Sequence, residues 1–190
     1  MNILGRRKIW YTISMTVIII GLFFLVVKGL NFGIDFNGGS LLEYGFEQKV
    51  SNDEMRSIIA DTGIKIEQIQ QSAEEGLNGV IIRTRHLETE EVMKIKTAIR
   101  DAYPEFETLT ESTVGPLIGK ELRTNALWAI VIASVAIIIY ISVRFEFRFA
   151  IVAIITLMHD VLITLGLFSI MGKEINTAFV AAILTIIGYS

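Results

Sequence analysis

The chain has no cysteine, two prolines and two histidines in 190 residues. Without cysteine there is no disulfide, no thiolate metal site and no thiol nucleophile. So little proline, with no low-complexity tract, argues against disorder. His86 stands with no second histidine near it, so it reads as a surface loop residue and implies no metal site. What is abundant is apolar: 52% of residues are hydrophobic and the mean hydropathy is +0.56, too high for an ordinary soluble domain. Charge is partitioned as well. Asn31 to Asn125 carries 17 acids and 10 bases, whereas the remainder carries 3 acids and 7 bases. An acidic polar segment makes nucleic acid a poor partner.

The apolar residues fall into long runs. Ile9 to Val27 is 19 residues without a charge, about 28 Å as a helix against a hydrocarbon core of about 30 Å. It exceeds a signal-peptide core, and Val26 to Leu30 has no small-residue cleavage site, so a retained span is expected. Ala126 to Val143 is a second run, of 18 residues, with Trp128 and Tyr140 near its ends as interfacial aromatics. Phe149 to Met171 is a third, of 23 residues, interrupted near its middle by His159 and Asp160. Thr177 to Ser190 begins a fourth, whose 14 residues reach about 21 Å, so the chain is expected to be truncated within a fourth transmembrane helix.

Orientation follows from basic residues in short loops: Arg6, Arg7 and Lys8 before the first span, Arg144 and Arg148 between the second and third. The expected layout is a cytoplasmic N-terminus and first span over 1–30, an extracytoplasmic domain over 31–125, and further spans over 126–190. The loop Arg144-Phe-Glu146-Phe-Arg148 serves equally as a plain topology signal or as a contact site.

Between the first two runs the periodicities change. Gly39 to Phe46 reads as a strand after an Asn37-Gly38-Gly39 turn. Ser51-Asn-Asp-Glu54 has capping-box spacing ahead of the stripe Met55, Ile58, Ile59, and Gly63 is a natural stop. Ile64, Ile66 and Ile69 suggest a second strand, from which Asn78-Gly79 leads into a third, Val80 to Thr84, as a hairpin. Glu88 to Tyr103 is a second helix ended by Pro104, and Phe106 to Val114 a last strand. The order βαββαβ predicts a ferredoxin-like α+β domain with both helices on one face of a four-stranded antiparallel sheet, an architecture that hosts many unrelated functions.

Candidate chemistry is sparse. Asp35-Phe-Asn37-Gly-Gly39 begins like a calcium loop, but Phe46 occupies the place of the bidentate acid. No Lys-Ser/Thr pair follows the glycines, so a phosphate loop is equally unsupported. No catalytic residue, metal or cofactor is expected. Asp160 carries more weight, because an acid near a bilayer centre costs about 2.5 to 3.5 kcal/mol and persists where it finds a partner or water. Thr156, Asp160 and Thr164 form one polar stripe, with His159 about 100° around the helix. Asp160 and His159 are thus candidates both for interhelical hydrogen bonding and for a proton pathway. Ala178, Ala182, Thr185 and Gly188 give the fourth run a small-residue side, as Thr12, Ser14 and Thr16 do in the first.

Five motifs in order resemble one family: Gly33-Ile-Asp35-Phe-Asn-Gly38-Gly39, Val114-Gly115-Pro116-Leu-Ile-Gly119-Lys-Glu121-Leu, Arg144-Phe-Glu146-Phe-Arg148-Phe, His159-Asp160-Val, and Ala181 to Ser190 with its Gly188-Tyr-Ser end. Together they resemble the SecF family of the bacterial Sec protein translocase, within the RND superfamily. The resemblance implies a six-span subunit of the cytoplasmic (inner) membrane. With SecD it would use the proton motive force to promote export through the SecYEG channel, with YajC and translocating polypeptides as further partners. In the family an intramembrane aspartate implicated in proton movement follows the Gly-Tyr-Ser pattern, past Ser190. Gly38, Gly39, Gly115, Pro116 and Gly119 are read as hinge and turn positions; Asp35 and Glu121 are further motif positions. The alternatives are an RND-type proton-driven small-molecule transporter and a non-transporting membrane-anchored assembly module.

Overall fold

A computed structural model describes residues 7–74, 77–145 and 147–189. The chain forms two compact units, Ile34–Glu121 on the one hand and Met1–Gly33 with Leu122–Ser190 on the other.

In the first unit, α2 (Ile34–Asn37) precedes β2 (Gly39–Phe46), α3 (Asn52–Ala60), β3 (Ile66–Glu74), β4 (Leu77–Thr84), α4 (Thr89–Ala102) and β5 (Phe106–Val114). The sheet order is β3-β4-β2-β5, every pair antiparallel. This is the ferredoxin-like arrangement. Leu42, Tyr44 and Phe46 of β2 alternate with residues on the other face, as a strand requires. With Val80 and Ile82 of β4 they bury against Met55 and Ile59 of α3 and Ile95 and Ile99 of α4. Ser51 caps α3 by accepting from Glu54 N at 3.2 Å.

The hairpin differs from expectation in one respect. Asn78 and Gly79 lie inside β4, opposite Ala73 and Ser72. A Cβ on Gly79 would stand 3.0 Å from Ser72 Cβ, so that glycine serves the close approach of two strands and not the turn.

In the second unit, α1 (Arg7–Val27) is followed by β1 (Asn31–Phe32). Most of α5 (Pro116–Arg144), all of α6 (Phe147–Met171), β6 (Glu174–Ile175) and α7 (Thr177–Tyr189) complete it. The three long helices have 21, 29 and 25 residues. At 1.5 Å per residue they reach about 32, 44 and 38 Å, each enough to span a bilayer core. α5 starts at Pro116, ahead of the apolar run at Ala126, because proline is well suited to the first helical position and nothing after it breaks the helix. Only 145 and 146 separate α5 from α6, so Arg144 and Arg148 stand in the helix ends and not in a free loop.

α1 and α6 run parallel: Ser14 meets His159, Gly21 meets Gly166, and Ser169 Oγ donates to Gly29 O at 2.8 Å. β1 then pairs with β6 in parallel, Asn31 opposite Glu174 and Phe32 opposite Ile175. α7 buries Phe179, Ile183 and Ile187. Its small-residue side, Ala178, Ala182, Thr185 and Gly188, is exposed in this chain, so the packing expected there is made by the large apolar residues.

Candidate functional site

The helices of the second unit are almost free of charge. α1 has no charged residue between Lys8 and Lys28, α7 has none, and Asp160 is the one acid of α6. Asp160 and His159 lie midway along α6, about 18 Å from either end of the helix. His159 Nδ1 and Asp160 Oδ1 are 2.8 Å apart, and the other ring nitrogen, Nε2, is hydrogen-bonded to Ser14 Oγ of α1. Two adjacent side chains some 100° apart on the helix are thus joined, and α1 supplies the third member of the line. Both α6 side chains keep roughly a third of their surface open, 38% and 35%.

The threonines of the sequence stripe behave differently. Thr156 Oγ1 donates to Val152 O at 3.0 Å and Thr164 Oγ1 to Asp160 O at 2.8 Å, both within α6. They extend no relay. Ser14, which sequence reasoning treated only as a small packing residue, is the group it missed. A signal was present: Ser14 and Gly21 are seven residues apart, as are His159 and Gly166, the repeat expected of two parallel helices in register.

Asp, His and Ser in this order also describe an acyl-transfer triad, but the second half of that machinery is missing. Ser14 sits inside a continuous helix whose backbone N–H groups are spent on helical hydrogen bonds, so none is left to form an oxyanion hole beside it. What the line can do is hold and hand on a proton. Among the described residues no group of three or more His, Cys, Asp or Glu side chains could hold a metal ion.

The glycine motifs meet one another within the first unit. Gly38 has φ +74° and Gly39 φ +129°, conformations that L side chains rarely adopt. A Cβ on Gly38 would stand 2.8 Å from Pro116 Cα, one on Gly39 2.7 Å from Thr84 O, and one on Gly119 2.8 Å from Gly38 N. Gly38 is therefore in backbone contact with Pro116 and Gly119, and Gly39 with Thr84. Gly115 differs, since a Cβ there would meet nothing within 4 Å. Asp35 is half-buried in α2 and Glu121 is exposed. Elsewhere, the Arg144 guanidinium lies 5.8 Å from the Phe145 ring centroid, Arg148 is exposed in the first turn of α6, and Glu146 lies outside the described residues. The expected surface residue, His86, is half-buried, with Nδ1 lacking a hydrogen-bond partner and Nε2 3.8 Å from Glu88.

Residues 94–190 match the family described as protein export membrane protein SecD/SecF, C-terminal, and residues 23–50 match the SecD/SecF GG motif. The second match covers the Gly38–Gly39 pair. Among curated proteins, the protein translocase subunit SecF of Calditerrivibrio nitroreducens is 39% identical over 100% of this chain and 64% of its own length. That of Sebaldella termitidis is 35% identical over 100% and 62%, and SecDF of Bacillus subtilis is 38% identical over 98% of this chain and 25% of its own. The chain thus spans somewhat less than two thirds of the SecF sequences. The crystal structure of SecDF, a translocon-associated membrane protein from Thermus thermophilus, superposes on 100% of this chain and 26% of its own with a TM-score of 0.86 at 27% identity. A multi-pass helical region with a mixed α/β unit is common to both. The chain belongs to the SecD/SecF family of protein export membrane proteins and is a SecF-type member of it.

Proposed function

We propose that this chain is part of an auxiliary subunit of the Sec translocase that, with SecD, uses the proton motive force to promote protein export, and that His159 and Asp160 belong to its proton pathway. The observation that carries the proton reading is a His–Asp pair held midway along a helix that has no other acid or base between Arg148 and Lys173. One proton converts it from a pair with net charge −1 to a neutral one. In a medium of low dielectric such a change alters the electrostatic energy of neighbouring helices far more than it would in water, which makes it a fitting input for a two-state bundle. Family membership supports SecD, the SecYEG channel, YajC and the emerging polypeptide as partners. The basic residues support a cytoplasmic N-terminus with the segment 31–125 outside and Arg144 and Arg148 inside. The glycines at 38, 39 and 119, with Pro116, act by backbone geometry and not as ligand contacts; Gly115 carries no such constraint.

The test is proton-driven export in cells depleted of the native subunit and supplied with the complete protein carrying Asp160→Asn. Export should lose its dependence on the proton gradient while the variant still inserts and binds SecD. Unimpaired gradient-dependent export would refute the assignment.

A further inference from the structure

We propose that Ser14 is a positioning residue for the His159–Asp160 pair: its hydroxyl holds the imidazole through Nε2 and follows the proton when the pair takes one up, tying α1 to the charge state of α6. This inference rests on the proton-pathway reading above.

Three serine and threonine hydroxyls stand close together on α1, and they divide. Thr12 Oγ1 donates to Lys8 O at 2.9 Å and Thr16 Oγ1 to Thr12 O at 2.8 Å, each bonding four residues back along its own helix. Ser14 instead turns to His159 Nε2 on α6. The difference is one of position: Ser14 lies on the half-buried stripe that continues through Val17, Ile18 and Gly21, whereas Thr12 and Thr16 are exposed.

The donor and acceptor roles follow from Asp160. An ionised carboxylate only accepts, so the 2.8 Å contact requires a hydrogen on Nδ1. In the neutral ring Nε2 then carries the lone pair and accepts from the Ser14 hydroxyl. When a proton arrives on Nε2 the bond reverses: Nε2–H donates to Ser14 Oγ, and the serine hydrogen turns away. It has an acceptor within habitual reach, the carbonyl four residues back, which is the bond Thr12 and Thr16 already make. A hydroxyl is donor and acceptor at once, so Ser14 satisfies the ring in both states.

The other titratable groups on the packed elements do not compete. Tyr11 of α1 is 71% exposed, Tyr189 of α7 93% and Tyr140 of α5 63%. The charged residues nearest in sequence on these elements, Lys8, Lys28, Arg144 and Arg148, lie at helix ends. The Gly21–Gly166 contact, two turns further along both helices, keeps the backbones close enough for the side-chain bond to be maintained.

The experiment uses the complete protein with its native partners. Gradient-driven export is measured against pH at constant membrane potential for the parent, Ser14→Ala, Ser14→Thr and Asp160→Asn. Ser14→Ala should displace the pH profile and lower its maximum about fivefold, the loss of one hydrogen bond, and Ser14→Thr should restore both. A uniform decrease with an unmoved profile, while Asp160→Asn still abolishes gradient dependence, would make Ser14 a packing residue and overturn this inference alone. Gradient dependence that survives Asp160→Asn would overturn the proton reading and this inference with it. Should Ser14→Ala fail to accumulate, nitrogen NMR of labelled histidine in the parent reads the hydrogen bond at His159 Nε2 directly; an Nε2 without one would overturn the proposal.

Discussion

Gly21 and Gly166 touch through their backbones: a Cβ on the first would lie 2.9 Å from the Cα of the second, and one on the second 2.7 Å from the Cα of the first. No side chain fits between α1 and α6 at that level. Gly21→Val should therefore force the helices apart, at a cost of about 1 to 3 kcal/mol for overpacking. Gly188→Ala, where a Cβ would meet nothing within 4 Å, should be nearly neutral. Unfolding of the protein in detergent compares the two.

The same contact can be read by chemistry, since the chain has no cysteine of its own. Asn31 and Glu174 are register partners in the parallel β1–β6 pair. Asn31→Cys with Glu174→Cys should form a disulfide on mild oxidation, and adding Gly21→Val should slow it. Band mobility with and without reductant checks both statements.

Gly38 and Gly115 are neighbours in motif but not in burden. Gly38→Ala meets both a positive φ and Pro116 Cα at 2.8 Å, and should destabilise the Ile34–Glu121 unit by about 1 to 3 kcal/mol. Gly115→Ala should change stability by no more than about 0.5 kcal/mol. Hydrogen exchange over β2 and α4 distinguishes the outcomes.

Two surface pairs give the same unit opposite pH dependences. Arg85 beside Glu91, at 2.5 Å, and the Glu88 N–H at 3.1 Å lower the Glu91 pKa. Its contribution is complete above the ordinary carboxylate range and is lost as pH falls through the lowered folded value. The Tyr103 hydroxyl donates to Glu54 at 2.5 Å, and that bond, with some burial, raises the Tyr103 pKa to about 12. Its contribution is complete below about pH 10 and is lost as pH rises through the folded value. Glu91→Gln should flatten the acid limb of a melting-temperature profile and Tyr103→Phe the alkaline limb.

The α/β unit was legible because its elements carry their own periods, caps or boundaries: Ser51 before the Met55 stripe, Gly63 after it, Pro104 after Ala102. Elements whose partners lie far along the chain were not. β1 and β6 are two residues each and exist only because Asn31 meets Glu174. α2 is a single turn without a period of its own. The small residues of α7 suggested a packing face that Phe179, Ile183 and Ile187 supply instead. At the candidate site His159 and Asp160 stood out as polar groups in an apolar run, whereas Ser14 drew notice only as a small residue. A hydroxyl in a helix is ordinary until the neighbouring helix is known, and only the parallel register of α1 and α6 turns it toward the imidazole.

The proposed function requires a change of protonation at the His159–Asp160 pair, beside Ser14. Infrared difference spectra of the complete protein in lipid, recorded between acidic and neutral pH, observe that change directly. The prediction is a set of imidazole-to-imidazolium bands that vanishes in His159→Gln and is displaced in Asp160→Asn. Spectra indistinguishable between the parent and His159→Gln would mean that the pair holds its proton fixed, and would contradict the account.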